Sequence, residues 1–289
     1  MTPHGLRCIT IRILGRDDKP MEMRFTILAS GSTGNASIIE TKEARLMVDA
    51  GLSARKLEQL MELRNVDPRT LDGILITHEH SDHIKGLDVL ARKYELPVYA
   101  NEKTWRAMER HVAGIPDHKR HIVRTGETFR FGSLQVESFA VSHDAAEPVG
   151  YCFSLNGLKL SFATDLGYVS EKVMERIIDS DVLVLESNHD IEMLRVGAYP
   201  WNIKRRILSD VGHLSNDMAG EALARVVEAG AVRRVYLAHL SRDCNLMELA
   251  RMTVESVVEE RGFSLAERKV RLMDTYCDRP TDWDAVGMD

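Results

Sequence analysis

The segment Thr77-His78-Glu79-His80-Ser81-Asp82-His83 places three imidazoles and a carboxylate of metal-ligating type within six residues. In an extended chain, His78 and His80 project to the same face. A turn after His80 swings Asp82 and His83 towards the same pocket. Neutral imidazole and carboxylate are ligands for zinc, manganese or iron, and four donors this close suggest more than one ion. Imidazoles gain nothing from crowding together without a metal, so a bare polar turn is the weaker reading.

Four more ligand-type side chains stand where apolar runs end. Asp49 follows the run at 45–48, His143 the run at 134–141, Asp165 the run at 159–163, and His239 the run at 234–238. Singly, each reads as a cap or turn residue. Taken with the histidine segment, they predict five strand ends converging on one rim, a pocket of the kind that holds catalytic metals.

The elements that must position these residues are strand-rich at the start. A strand at 25–29 runs into the Gly/Ser loop Ser30-Gly31-Ser32-Thr33-Gly34-Asn35, and short strands follow at 36–40 and 45–48. That succession is an antiparallel or mixed opening, not a βαβ nucleotide fold. Ser53 caps a helix carrying Leu57, Leu60 and Met61. Strands are expected at 73–76, 97–100, 134–141, 150–155, 159–163, 182–185 and 234–238. Helices are expected at 87–94, 104–111, 171–178, 201–209, 217–229 and 246–260. The fold class is α+β, with two mixed sheets face to face and helices on the outer faces. Residues 1–20 read as a loosely ordered extension, and 21–289 as a single domain with no linker or repeat.

Composition bounds the function. The chain has 289 residues and a formal net charge of −6. That argues against uniform charge-driven binding to nucleic acid, though not against a local basic groove or a metal-mediated grip on phosphate. Four scattered cysteines, with no Cys-x-x-Cys, fit a reducing, cytoplasmic setting. Cys244 reads as a small buried side chain, not a ligand. No apolar run approaches the ~20 residues of a membrane span, so no membrane association is expected.

In this order, Asp49, the His78-x-His80-x-Asp82-His83 segment, His143, Asp165 and His239 resemble the five motifs of the metallo-β-lactamase-fold hydrolases. The resemblance covers residues 24–274 and implies an αββα sandwich with a dinuclear site at one edge. It implies that His78, His80 and His143 hold one metal. Asp82, His83 and His239 would hold the second, Asp165 would bridge them, and Asp49 would orient the histidine loop. True class B lactamases carry a cysteine where this chain has Asp165, so β-lactam hydrolysis is not expected. The histidine segment also lacks the acidic ligand of the flavodiiron branch. The interval from Asp165 to His239 is too short for the extra domain of the β-CASP nucleases.

Further stretches resemble the WalJ/YycJ-type exonuclease branch. They are the Leu28–Asn35 opening, Glu186-Ser187-Asn188-His189-Asp190, Tyr199-Pro200 with Lys204-Arg205-Arg206, and Gly212-His213-Leu214-Ser215-Asn216. That branch implies a phosphodiesterase acting on DNA in the 5′-to-3′ direction. Two divalent ions are the expected cofactors, zinc first and manganese second. Asp82 is a candidate proton acceptor. His213 is the candidate general acid on the leaving oxygen, as in ribonuclease Z relatives; the plainer reading is a helix-cap histidine. Ser32, Asn35, Asn188, Lys204, Arg205 and Asn216 are candidate substrate contacts. Lys204 and Arg205 would grip a strand beside Tyr199 and Trp201, or lie on a solvated helix face. The rival function is a small-molecule hydrolase of the same fold, such as a cyclic phosphodiesterase, thioester hydrolase or lactonase.

Overall fold

The computed structural model describes residues 23–287. The extension expected at 1–20 lies outside the described residues. The first sheet is built from β1 (Met23–Ala29), β2 (Ala36–Thr41), β3 (Arg45–Val48), β4 (Gly73–Leu75), β5 (Val98–Ala100) and β6 (Arg120–Ile122). The second takes β7 (Thr128–Phe131), β8 (Leu134–Ala140), β9 (Val149–Leu155), β10 (Leu158–Ala163), β11 (Val182–Glu186), β12 (Arg234–Ala238) and β13 (Arg271–Asp274). A last strand, β14 (Asp284–Ala285), returns to the free edge of β1, so each sheet has seven strands. Four strands in each sheet are parallel, β3 to β6 and β10 to β13.

The helices cover the outer faces. On the first sheet lie α1 (Ala54–Glu62), the short α2 (Ser81–Ile84), α3 (Leu87–Tyr94) and α4 (Glu102–Met108); on the second, α5 (Glu171–Ile177), α6 (Ile191–Val196), α7 (Trp201–Ile207), α8 (Asn216–Ala229) and α9 (Met247–Glu260). Ser53 caps α1 as expected, its side chain accepting from Lys56 N.

Three layers of apolar contact hold this together. Between the sheets pack Phe25, Leu46, Tyr151, Phe153, Phe162 and Tyr236, with Phe25 meeting Tyr236 edge-on at 5.2 Å. Leu57, Leu60, Leu87 and Trp105 seal α1, α3 and α4 onto the first sheet, and Val173, Leu223, Val226 and Val254 seal α5, α8 and α9 onto the second. Burying each such side chain stabilises the fold by roughly 1.5–3 kcal/mol. Strands β11 and β12 are buried along their whole length, because parallel strands between two covered faces have no solvent side. That is why they read as unbroken apolar runs.

Differences from the sequence reading are local. β3, α3 and β12 have the expected bounds, while the helix expected at 104–111 starts at Glu102 and tightens into a 3₁₀ turn after Met108. The turn expected after His80 is a helical turn, α2. Strands β6, β7, β13 and β14 were not expected. They are short edge or near-edge strands with half-exposed side chains, which leave no apolar signature.

Candidate metal centre

The carboxyl ends of β3, β4, β10, β11 and β12 open onto one edge of the sandwich, the usual place for a site in sheets with parallel strands. Asp49, Asp165 and His239 each leave their strand with a left-handed backbone, at φ 59°, 58° and 56°. That conformation costs a residue with a side chain about 1–2 kcal/mol and is retained where surrounding structure over-determines it. It turns the chain sharply at the strand end and holds each donor at the rim.

Asp49 organises the histidine loop. Its Oδ1 accepts from Thr77 N at 2.9 Å, and its Oδ2 accepts from Thr77 Oγ1 and His83 Nδ1, both at 2.8 Å. Donation from Nδ1 leaves His83 Nε2 as the free ligand atom. The turn after Asp49 lies against α2: Asn35 N donates to Asp82 O and Ala50 N to His83 O, both at 2.8 Å. A Cβ at Gly51 would fall 1.6 Å from Asp82 O, so only glycine allows that approach. From the second sheet, Tyr151 Oη donates to Ile76 O at 2.9 Å and supports the strand that delivers His78.

The donors gather in overlapping groups, each within 4.8 Å: His78, His80 and His143; Asp82, His83 and His239; His78, His83 and Asp165; and Asp165, Glu186, His213 and His239. His143 Nδ1 donates to Gly212 O at 2.9 Å, which leaves Nε2 3.3 Å from His80 Nδ1. Asp165 lies between the groups, with Oδ2 3.5 Å from His83 Nε2 and Oδ1 3.3 Å from His239 Nε2. His78 Nε2, Asp165 Oδ2 and His239 Nε2 are buried with no hydrogen-bond partner. Leaving such atoms unpaired is costly, and cations held by these overlapping groups would satisfy them. The residues therefore fit divalent metal.

Electrostatics point the same way. Burial pushes the Asp165 carboxyl up, but His239 and His83 outweigh it and hold it well below the usual carboxylate range. Burial likewise opposes the ionised Asp82, yet His239 and His83 hold it at about 2. His239 is raised to about 10: Asp165, Asp82 and Glu186 overcome its desolvation. His78 is pushed well down by burial and the neighbouring imidazoles. The carboxylates thus draw positive charge into a pocket that keeps part of its imidazole set neutral, which is what a cation site requires.

Sequence reasoning gave no role to the residue that ties the rim together. Glu186, the last residue of β11, is fully buried. Its Oε1 accepts from His213 Nδ1 at 2.8 Å and from His239 Nδ1 at 3.1 Å, and its Oε2 from Leu166 N at 2.9 Å and Leu214 N at 3.3 Å. Burial disfavours its charge, but His213 and His239 hold the carboxyl at about 2. The signal available was the one used for Asp165, an acid closing an apolar run. His213 stacks on His239, with centroids 5.2 Å apart and planes at 22°, and lies 4.9 Å from the His143 ring. It does not cap α8; Ser215 does, accepting from Met218 N.

The candidate substrate contacts divide. Ser32 and Arg205 are exposed. Asn35 braces its loop by accepting from Gly31 N at 2.9 Å and reaches to 3.2 Å from His83 Nε2. Three others turn inward to structural partners, because a buried polar group must be paired. Asn188 donates to His239 O at 2.8 Å, buried Lys204 donates to Arg195 O at 2.6 Å, and Asn216 accepts from Ser187 Oγ at 2.6 Å. On α7, Arg206 instead reaches the rim, paired with Asp144 beside His143, and Trp201 is 61% exposed. Cys244 is buried, as expected, and belongs to no donor group among the described residues.

Comparison with known proteins agrees with this geometry. The chain is 53% identical over 261 residues to "Exodeoxyribonuclease YycJ" of Bacillus anthracis, covering 90% of this chain and 98% of that protein. It is 47% identical over 233 residues to "Exodeoxyribonuclease WalJ" of Streptococcus pneumoniae, covering 80% of this chain and 86% of that protein. Among solved structures, Zn²⁺-bound PqqB of Methylobacterium extorquens superposes with a TM-score of 0.68 at 19% identity, covering 90% and 99% of the two chains. The metallo-β-lactamase-fold protein YhfI of Bacillus subtilis gives 0.67 at 16%, covering 90% and 98%; both show the shared fold. No helix among the described residues is long and apolar enough to cross a membrane. A family model for the β-lactamase superfamily domain matches residues 44–240, and with this sandwich and this rim of donors the chain belongs to that superfamily, in its metallo-β-lactamase fold.

Proposed function

We propose that this protein is a metal-dependent exodeoxyribonuclease that uses two divalent ions, zinc first and manganese second, and digests DNA from the 5′ end in the cytoplasm. The observation that carries the reading is the match to an exodeoxyribonuclease along 98% of that relative's length. The geometry supports it with a carboxylate–imidazole pair, buried Glu186 and half-buried His213, that shares a donor group with Asp165 and His239.

His78, His80 and His143 would hold one ion and Asp82, His83 and His239 the other, with Asp165 shared. Such a pair lowers the pKa of bound water and neutralises charge on a phosphodiester. The chain's own groups supply the rest. Asp82, at the rim beside His83 and His239, is the candidate acceptor for the proton released by the attacking water. Glu186 Oε1 accepts from His213 Nδ1 and fixes the ring, so Nε2 is the atom that would carry the transferable proton. Delivered to the leaving oxygen, that proton avoids a strongly basic alkoxide. Arg206 and Asp144 neutralise each other at the His143 side of the rim. Three cysteines among the described residues, Cys152, Cys244 and Cys277, are free thiols, as a reducing compartment would keep them.

The test is a metal-loaded preparation assayed on 5′-phosphorylated DNA, with bis-p-nitrophenyl phosphate as a control. Stepwise release of mononucleotides from a 5′-labelled strand, label first, is the expected result. Hydrolysis of the nitrophenyl ester without attack on DNA would favour the small-molecule hydrolase.

A further inference from the structure

A charged groove runs down the open side of the sandwich, away from the donor cluster. Strand β13 is one edge of the second sheet. The segment 276–286 runs beside β1 of the first: Ser30 N donates to Tyr276 O, Thr281 N to Ile27 O and Val286 N to Met23 O, all at 2.9 Å. Two cavities of about 600 and 700 Å³ adjoin β13 and share Arg234 and Arg271 in their walls. Tyr276, at the upper end, is tied to the metal centre through buried Ser30, whose N donates to Tyr276 O and whose hydroxyl accepts from His239 N at 2.8 Å.

The groove has the opposite charge to the rest of the molecule. Its walls hold eight Arg or Lys side chains against four Asp or Glu, in a chain with a formal net charge of −6. Three of those acids are already engaged: Asp284 with Arg234 at 2.7 Å, Asp282 with Arg64 at 3.1 Å and Asp274 with Arg251 at 2.6 Å. Arg268, Lys269, Arg271 and Arg279 are exposed, and no ion pair joins them to any other described residue. Arg279 lies 4.0 Å above the ring of half-buried Tyr276, while Trp283 on the same wall is already covered by Arg24 at 4.1 Å. Guanidinium groups without an ion-pair partner beside an aromatic ring suit a single nucleic-acid strand: charge for the backbone and an Arg–Tyr surface for a base. From 269 to 276 the groove extends about 20 Å at strand rise, a stretch of several nucleotides.

We propose that this groove holds the DNA strand that runs on from the scissile phosphate, as a single strand, with Arg279 nearest the metal centre and Arg271, Arg268 and Lys269 further along. The assignment rests on the exodeoxyribonuclease reading and adds to it a path for the uncleaved part of the substrate.

The test compares the wild type with Lys269→Ala/Arg271→Ala/Arg279→Ala. A control variant of equal charge change, Arg110→Ala/Arg124→Ala/Arg130→Ala, lies away from β13. Hydrolysis of bis-p-nitrophenyl phosphate within twofold of wild type shows that each variant is folded and metal-loaded. Removing three backbone contacts should lower the slope of log affinity against log salt by about 2 for a single-stranded 20-mer. The groove variant would then lose roughly 20-fold less affinity than wild type between 50 and 200 mM salt. Its KM for the 20-mer should rise at least tenfold at the lower salt, with little change for a dinucleotide. An unchanged KM and salt slope in the groove variant, or an equal change in the control, would overturn the groove while leaving the exodeoxyribonuclease reading intact. A wild type that hydrolyses the nitrophenyl ester but not DNA would remove both.

Discussion

Replacing Glu186 with glutamine tests the rim at the point where its parts meet. The two side chains have nearly the same shape, so the change is one of charge and hydrogen-bond polarity. Glu186 accepts four hydrogen bonds, two from backbone N–H groups and two from imidazole Nδ1 atoms. A glutamine offers one acceptor oxygen. If that oxygen stays with Leu166 N and Leu214 N, the amide nitrogen faces the two imidazoles and can only donate to them. Both rings must then carry their proton on Nε2. For His239 this blocks the atom that lies between Asp82 and Asp165, and loss of such an orienting partner costs about 10–100-fold in metal affinity. For His213 it removes the carboxylate acceptor that fixes the ring, and with it the about 10²–10⁴-fold that a positioned general acid contributes, or ~2.7–5.4 kcal/mol of barrier. The reverse amide orientation sets two backbone donors against an NH₂ group and is worse. The assay separates the two effects. Chelator competition gives the metal affinity, and at saturating metal the rates on DNA and on bis-p-nitrophenyl phosphate are compared. We expect weaker metal binding and a DNA rate that falls far more than the ester rate. Metal affinity and DNA turnover both within threefold of wild type would refute the reasoning, and equal loss on both substrates would mean that Glu186 acts through His239 alone.

Other substitutions separate the roles further. Asp165→Ala should lose most of one metal equivalent by elemental analysis and nearly all activity; two tightly bound ions in that variant would show that Asp165 does not link them. His213→Ala should keep its metal content and lose about 10²–10⁴-fold on DNA, while the nitrophenyl ester, whose leaving group departs unaided, is hydrolysed nearly as before. Loss of metal instead would make His213 a ligand. Burial pushes the Cys152 thiol up to about 11, so at pH 8 a maleimide should modify exposed Cys277 rapidly and leave Cys152 untouched until the protein is denatured; mass spectrometry of the labelled peptides decides it.

What could be read before the fold was known follows a physical division. Strands β11 and β12 were legible because burial on both faces writes an uninterrupted apolar run. The histidine segment was legible because its donors are close in sequence, so no long-range contact is needed to recognise them. Asp49, Asp165 and His239 could be selected by position, as ligand-type residues closing apolar runs. Their left-handed backbones were not legible, since nothing in composition marks a strained turn. Asn188, Lys204 and Asn216 drew attention as polar residues in motif-like stretches, but a polar side chain near a site is as readily used to satisfy the scaffold as to meet a substrate. Only the hydrogen bonds distinguish the two.

Glu186 shows where sequence reasoning stops. Taken alone, an acid after Val182-Leu183-Val184-Leu185 is one more turn residue. Its meaning depends on strand order. In the second sheet β10, β11 and β12 are parallel neighbours, with Ala163 paired to Leu185, Leu185 to Leu237 and Glu186 to Ala238. That register brings Asp165, Glu186 and His239 into one row at the carboxyl edge, so the middle residue reaches the outer ring of the third. Chain neighbours Gly212 and Leu214 add to the row from the loop before α8, the first accepting from His143 Nδ1 and the second donating to Glu186 Oε2. His213, held between them, faces both ligand groups at once. Two residues that sequence separation keeps 27 apart therefore act as one acid–carboxylate unit, and only the parallel register of three buried strands places them together.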